Sequence, residues 1–242
     1  MTDAPAPAAR PRRLDVRDLH AWYGESHVVH GATFHVDRGE IVTLLGRNGA
    51  GKTTTMRALA GVVRTRKGSA HLDGHDLLAT PPHRVARTGL GYVPEERGIF
   101  ASLSVAENLL LPPVVRPGGV SLAEIHALFP NLKGRDRTQG TRLSGGEQQM
   151  LAIARVLRTG ADFILLDEPT EGLAPVIVEE IAHALGALKA RGLTILLVEQ
   201  NIRFALAAAD RHYVVEQGRV VDEFDNTTLR TDRARIDAYL GV

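Results

Sequence analysis

Residues 46–53 carry glycines followed by a lysine and a threonine, a pattern suited to holding phosphate groups. The run Gly46-Arg47-Asn48-Gly49-Ala50-Gly51-Lys52-Thr53 matches G-x-x-x-x-G-K-[ST] at every fixed position. The glycines let backbone N–H groups surround phosphates, Lys52 has the charge to reach the β- and γ-phosphates, and the Thr53 hydroxyl suits Mg²⁺. A glycine-rich turn that binds nothing is the alternative. The complete spacing favours a nucleotide site, in which we also place Thr54.

Two carboxylates follow an apolar run further along the chain. Phe163-Ile164-Leu165-Leu166 has the length of a buried strand, and Asp167 and Glu168 come directly after it. Next to a bound nucleotide, Asp167 would hold the Mg²⁺ shell and Glu168 would orient and polarise an attacking water. Acidic strand ends are common for structural reasons alone. The functional interpretation therefore depends on the phosphate-binding pattern upstream.

The segments around these residues alternate between strand and helix patterns. Ile41 to Leu45 is a continuous apolar run, as expected for a buried parallel strand, and it leads into the glycine-rich turn. Further strands are predicted within residues 14–39, 69–72, 91–93, 163–166, 193–198 and 213–224, and helices at residues 52–59, 150–157, 176–191 and 202–209. Such alternation predicts an α/β fold with a parallel sheet.

The remaining parts of the chain differ in composition. Residues from about 104 to 140 mix helix-forming stretches with Pro112-Pro113 and Pro117-Gly118-Gly119, which predicts a mainly helical insertion. Residues 1–13 are rich in alanine, proline and arginine, and we predict a disordered tail there, although its arginines could also contact anionic lipid. This leaves residues 14–242 as one domain.

Composition excludes several classes of function. The 242 residues carry a net charge of +1, which argues against a nucleic-acid partner. There is no cysteine, so disulfides and thiolate metal sites are excluded. No stretch approaches the roughly 18–20 unbroken apolar residues that span a bilayer.

The run Leu143-Ser144-Gly145-Gly146-Glu147-Gln148-Gln149 lies between the glycine-rich turn and the acidic strand end. Ser144 and Glu147 have the spacing of a capping box that begins a helix. The two glycines after the cap leave the helix N-terminus open, which suits a γ-phosphate. This run resembles the signature motif of ATP-binding cassette (ABC) proteins. Together with the other two motifs, in this order, the resemblance covers essentially the whole chain after the tail.

The resemblance implies a fold, an activity and further site residues. The fold is a P-loop NTPase cassette with a parallel-sheet core, an antiparallel β subdomain and a helical insertion, and the activity is ATP hydrolysis with Mg²⁺. Two cassettes pair head to tail in this family, so that Ser144, Gly145 and Gly146 of one close the ATP site of the other. Tyr23 stands where the family has an aromatic that stacks on adenine, a contact worth about 1–3 kcal/mol in base–aromatic systems. The alternative is a half-buried strand aromatic.

Three departures from the general family pattern resemble one subfamily. Glu95, in Val93-Pro94-Glu95, stands where most cassettes have a glutamine, and the resemblance implies a catalytic role as an acceptor within the Mg²⁺ shell. Gln200, in Val198-Glu199-Gln200-Asn201, stands where most have a switch histidine, although a solvent-facing polar residue is the alternative. Ala174 lies where an aspartate is common. These features resemble the LivF-type ATPase subunit of branched-chain amino-acid importers, or the related urea importer subunit.

The subfamily resemblance also implies partners and a location. The expected partners are two transmembrane permease subunits, a second ABC ATPase that is identical or a sister chain, and indirectly a periplasmic or extracellular solute-binding protein. The expected location is the cytoplasmic face of the cell membrane. A soluble ABC ATPase that acts in DNA repair or translation remains the alternative from a different class.

Overall fold

The computed structural model describes residues 11–231 of the chain. Its strands are β1 (Arg12–Tyr23), β2 (Ser26–Asp37), β3 (Ile41–Leu45), β4 (Thr65–Leu72), β5 (His75–Asp76), β6 (Leu90–Val93), β7 (Phe163–Asp167), β8 (Thr194–Glu199), β9 (Arg211–Glu216) and β10 (Arg219–Asp225). Its helices are α1 (Lys52–Leu59), α2 (Pro82–Val85), α3 (Val105–Leu110), α4 (Leu122–Leu128), α5 (Gly145–Arg158), α6 (Pro175–Ala190), α7 (Ile202–Ala208) and α8 (Asn226–Thr231). None of the helices between residues 11 and 231 combines the length and the apolar character needed to cross a membrane.

The larger sheet has six strands in the order β10-β9-β3-β8-β7-β6. All neighbours pair in parallel except the β9–β10 hairpin at one edge. Strands β3, β7 and β8 are buried along their whole length, which explains their unbroken apolar sequences. Because these three are neighbours and parallel, their carboxyl ends meet at one edge of the sheet. The predicted α/β architecture with a parallel core is thus confirmed.

The smaller sheet is antiparallel, with the order β2-β1-β4-β5. Strand β4 begins four residues earlier than the pattern predicted, because its first residues pair with the end of β1. The predicted tail boundary is also wrong at its last two residues, since β1 begins at Arg12. Arg13 is 2% exposed, and its guanidinium donates to the Asp162 carbonyl at 2.8 Å and to the Thr194 hydroxyl at 3.1 Å. These contacts tie the small sheet to the large one.

The predicted insertion is helical, as expected, and packs on α5. Helices α3 and α4 and the short 3₁₀ turns Pro130–Leu132 and Gly140–Arg142 lie within it. Its buried side chains, including Leu109, Ile125 and Phe129, join one apolar cluster with Met150 and Ile153 of α5.

Two helices of the insertion and helix α5 begin with the same kind of N-terminal cap. The residues before α3, α4 and α5 are Ser104, Ser121 and Ser144, and each forms a full capping box with the glutamate three positions later. Each cap satisfies backbone N–H groups that would otherwise lack a partner, an effect worth about 1 kcal/mol. Residues 1–10 and 232–242, which the predicted tail and domain include, lie outside the described residues.

Candidate functional site

The glycine-rich turn between β3 and α1 forms one wall of a cleft of about 300 Å³. The residues that line it are Val28, Asn48, Gly49, Ala50, Gly51, Lys52, Thr53, Thr54, Glu95, Glu168 and Glu171. Most of the site residues predicted from three separate parts of the sequence are thereby brought together. Val28 and Glu171 are not among the predicted site residues. Val28 belongs to no motif, and Glu171 lies in the loop that contains Ala174.

Two positions of the turn favour glycine, one because of close packing and one because of its backbone conformation. A Cβ on Gly46 would lie 2.2 Å from the Val215 carbonyl oxygen of β9, so no side chain fits there. Gly51 has φ +98° and directly precedes α1. Gly46 and Arg47 lie outside the cleft lining, but Arg47 lines a second cavity with Val215, Glu216 and Gln217.

The Lys52 amine lies beneath the turn. It donates to the carbonyl oxygens of Gly46 at 2.8 Å and Arg47 at 3.0 Å, and it lies 3.6 Å from a Glu168 oxygen. Burial lowers the pKa of Lys52, and the neighbouring Glu168 carboxylate opposes this shift. The ammonium is therefore held close to Glu168 at the inner end of the cleft.

Asp167 ends β7 fully buried, and hydroxyl groups hold both of its oxygens. The Thr53 hydroxyl donates to Oδ1 at 2.9 Å and the Tyr92 hydroxyl to Oδ2 at 3.0 Å. Burial raises the pKa of Asp167, while these two hydrogen bonds lower it. A buried carboxylate held by hydroxyls rather than by a lysine or arginine is a good position for a cation.

The chemistry of these groups fits Mg²⁺. The ion prefers oxygen ligands and is commonly bound by one or two protein groups together with substrate phosphates. Thr53 and Asp167 supply a hydroxyl and a carboxylate, and the cleft has room for phosphates beside them. Within residues 11–231 there is no group of three or more histidine, cysteine, aspartate or glutamate side chains that could hold a metal by itself. Nucleotide phosphates and water are the usual source of the remaining ligands of such an ion.

Glu168 departs from the strand immediately after Asp167. Its φ is +45°, an arrangement that costs an L-residue of order 1–3 kcal/mol and is commonly found at functional sites. The Gln200 side-chain amide donates to both Glu168 oxygens, at 3.0 and 2.9 Å, and to Asn48 Oδ1 at 2.6 Å. Gln200 is thus exposed but bound to the cleft.

The loop after β8 is held by a buried carboxylate whose role the sequence did not reveal. Glu199 is 3% exposed and accepts from the Thr170 hydroxyl at 2.7 Å. It also accepts from the backbone N–H groups of Gln200 and Asn201, both at 3.1 Å. Burial raises the pKa of Glu199, and these hydrogen bonds oppose the rise. Glu199 therefore joins the loop after β7 to the loop after β8.

Glu95 contributes a further carboxylate to the cleft. Burial is the largest cause of the raised pKa of Glu95, and the negative charges of Glu171, Glu168 and Asp167 raise it further. This concentration of negative charge beside the phosphate-binding turn requires cations when a nucleotide binds. Lys52 alone cannot balance it, which agrees with the fit to Mg²⁺.

Asp167 and Gln200 contact residues of the cleft without lining it, through Thr53 and Glu168. Two further groups of predicted site residues are not part of the lining. Tyr23 is 47% exposed at the end of β1 and is not part of the lining. Ser144 is exposed before α5, and neither it nor Gly145 and Gly146 lines the cleft. A Cβ on Gly146 would lie 2.6 Å from the Ile177 side chain of α6, so this glycine is required by packing.

A parallel sheet that brings a phosphate-binding turn and two acidic strand ends together defines a P-loop nucleotide hydrolase. A family model described as "ABC transporter" matches residues 29–171, more than half of the chain. The chain therefore belongs to the ABC transporter family and is an ATP-binding cassette ATPase.

Two curated relatives match almost the whole chain. It is 41% identical to the high-affinity branched-chain amino acid transport ATP-binding protein BraG of Pseudomonas aeruginosa, over 94% of this chain and 99% of that protein. It is 38% identical to the lipopolysaccharide export system ATP-binding protein LptB of Acidithiobacillus ferridurans, over 94% of this chain and 96% of that protein. The crystal structure of an ATP-binding cassette in its ADP conformation superposes with a TM-score of 0.79 at 23% identity, over 96% and 99% of the two chains, and shows the same fold.

Proposed function

We propose that this chain is the ATP-hydrolysing subunit of an importer for branched-chain or other hydrophobic amino acids. The observation that carries the proposal is the 41% identity to BraG over 99% of that protein. Export of lipopolysaccharide is a second candidate, favoured by the 38% identity to LptB. Import of urea or amides and a role outside transport are the remaining alternatives.

In the proposed nucleotide site, residues 46–54 surround the phosphates of ATP and Lys52 neutralises their charge. Thr53 and Asp167 would hold Mg²⁺, with Glu95 as an acceptor in its hydration shell, and the ion would balance the charge of the β- and γ-phosphates. Glu168 orients and polarises the attacking water, and Gln200 holds the Glu168 carboxylate in place. The support is the set of distances among Lys52, Glu168 and Gln200.

The rest of the proposed site comes from a second cassette, either an identical chain or a sister ATPase. Ser144 caps a 14-residue helix that begins with Gly145 and Gly146, and none of the three lines the cleft of their own chain. The helix dipole and the free N–H groups at this end favour an anion. The γ-phosphate bound by the partner cassette is the anion that we assign to it, and Tyr23 is assigned to the adenine.

The proposed contact with two permease subunits lies on the helical insertion and near Glu95. Five large apolar side chains are exposed there, namely Phe100, Leu110, Leu111, Val114 and Leu122. Exposed apolar side chains grouped in this part of the chain favour a protein partner over solvent. The cassette would then lie on the cytoplasmic face of the cell membrane, with a solute-binding protein acting on the far side.

Affinity purification from solubilised membranes tests this function. A tagged wild-type chain should copurify two permeases and a solute-binding protein, and vesicles containing the complex should accumulate leucine when supplied with ATP. Glu168→Gln is the matched control, because it should preserve assembly and ATP binding but abolish turnover and uptake. Copurification of lipopolysaccharide-export subunits, uptake of urea instead of leucine, or recovery without membrane subunits would each contradict the amino-acid importer.

A further inference from the structure

Tyr92 binds the buried carboxylate of Asp167 from the neighbouring strand. It lies on β6, directly beside Leu165 of the neighbouring strand β7. Its ring packs against the apolar cluster between the sheets, and its hydroxyl donates to Asp167 Oδ2 at 3.0 Å. The other carboxylate oxygen, Oδ1, accepts from Thr53 at 2.9 Å. Each oxygen of the buried carboxylate is therefore held by a different hydroxyl.

The two hydroxyls differ in what they can do when a cation is bound. Thr53 is itself an expected Mg²⁺ ligand, so its hydroxyl and the Oδ1 that it contacts would hold the ion together. Tyr92 lies on the sheet and holds the opposite oxygen, Oδ2. Its bond therefore fixes the rotation of the carboxylate about the Cβ–Cγ bond and keeps Oδ1 beside Thr53.

Arg57 of α1 lies beside the Tyr92 phenol. The Tyr92 hydroxyl is the main cause of the raised pKa of Arg57, and Tyr23 also contributes to the rise. Arg57 in addition donates to Glu96 at 2.9 Å. Arg57 therefore interacts with the phenol that holds the Asp167 carboxylate.

We propose that Tyr92 is a positioning residue for Mg²⁺, whose hydroxyl orients Asp167 so that Oδ1 and the Thr53 hydroxyl face the ion together. The inference rests on the proposed magnesium site at these two residues. Hydrogen-bond partners of metal ligands typically contribute 10–100-fold to metal affinity. The hydroxyl of Tyr92 should therefore matter for the metal and not for the nucleotide alone.

Tyr92→Phe is a sharp test, because it removes one oxygen and keeps the ring that packs in the core. Binding of a fluorescent ATP analogue is titrated with Mg²⁺, and then with Mn²⁺ detected directly by its paramagnetic resonance. The variant should need about tenfold more metal for half-maximal nucleotide binding. Its affinity for the nucleotide in EDTA should equal that of wild type, and its kcat should approach the wild-type value at saturating Mg²⁺.

Tyr213→Phe is the matched control. Tyr213 is 2% exposed, and its hydroxyl accepts from the His35 backbone N–H at 3.3 Å, outside the cleft. This control separates a specific effect on the metal from the general cost of removing a buried hydroxyl, and the melting temperatures of both variants are compared.

Three results would overturn the inference. An unchanged metal requirement in Tyr92→Phe would leave Tyr92 as a packing residue. An equal shift in Tyr213→Phe would assign the effect to stability. If the wild-type protein binds nucleotide equally well with and without metal, the proposed magnesium site is wrong and the inference fails with it. The transport proposal would still be tested separately, by the copurification experiment.

Discussion

The side-chain nitrogen of Gln200 lies 3.0 and 2.9 Å from the two carboxylate oxygens of Glu168. The same nitrogen lies 2.6 Å from Asn48 Oδ1. One amide thus joins the ends of β8 and β7 to the phosphate-binding turn after β3. An amide donates to a carboxylate without titrating, whereas an imidazole in this place would carry a charge that depends on pH.

Gln200→Ala should lower the rate of ATP turnover about tenfold or more, because one lost transition-state hydrogen bond is worth at least about 1.4 kcal/mol. ATP affinity should change little, since Gln200 contacts Glu168 and Asn48 rather than Lys52. Gln139→Ala, an exposed glutamine outside the cleft, is the control. A wild-type rate in Gln200→Ala at every pH would exclude Gln200 from the site.

Gln200→His should retain activity and acquire a pH dependence between about pH 6 and 7, where an unperturbed imidazole titrates. Below this range the imidazolium would pair with the Glu168 carboxylate, which would then polarise the attacking water less strongly. The rate should therefore fall as the pH decreases. The pH–rate profile of the wild type should lack this step. Identical profiles for the two proteins would contradict the assignment.

Glu95→Gln should keep most of the ATPase activity, because the carboxylates of Glu171, Glu168 and Asp167 already surround this position. Glu95→Lys should be severely impaired, since an ammonium there would pair with Glu168 and compete with Mg²⁺. Glu179→Lys is the control, because Glu179 is an exposed glutamate of α6 that does not line the cleft. Near-normal steady-state turnover in Glu95→Lys would place Glu95 away from the metal.

Ser144→Arg should bind ATP as the wild-type monomer does and fail to form the ATP-dependent dimer, because the arginine would block the anion site at the start of α5. Ser121→Arg is the matched control, since Ser121 has the same capping box in front of α4. Size-exclusion chromatography of variants that also carry Glu168→Gln would separate monomer from dimer. A monomeric wild type whose specific activity is independent of protein concentration would rule out the shared site.

His212 should make the fold less stable in mild acid. It is fully buried, its Nδ1 lies 2.6 Å from the Thr43 hydroxyl and its Nε2 lies 2.8 Å from Asn226 Oδ1. These partners satisfy the neutral ring. Burial lowers the pKa of His212, and the Asn226 hydrogen bond and the charges of Asp210 and Asp225 oppose the shift. Below about pH 6.5 the unfolded chain therefore binds a proton that the folded chain does not.

The free energy of unfolding should consequently fall as the pH decreases below about 6.5, by at most about 1.4 kcal/mol per pH unit for this one proton. Urea unfolding between pH 7.5 and 5.5 measures the slope, which should be shallower in His212→Gln. The exposed His75 gives the control His75→Gln, whose slope should match the wild type. Equal slopes in all three proteins would show that His212 is not the source.

The sequence by itself determined the elements that carry the site. Helix α1 begins at Lys52 as predicted, because the turn glycines precede an uninterrupted helical stretch. The capping box at Ser144 forms as predicted, because its donors and acceptors lie within four residues. The apolar run before Asp167 is a fully buried strand. In each case neighbouring residues supply the deciding interactions, so local spacing is sufficient to predict them.

Tertiary structure decided the contacts between these elements. Nothing in the local sequence of Arg13, Glu199 or Tyr92 shows that each has a partner more than 25 positions away. The partners of Glu199 and Tyr92 follow from the strand order, which places β8 between β3 and β7, and β7 beside β6. That order results from how all the apolar faces pack together at once, and a single segment does not contain it. The motifs could therefore be predicted from the chain, but the bond between Gln200 and Glu168 exists only because their strands become neighbours.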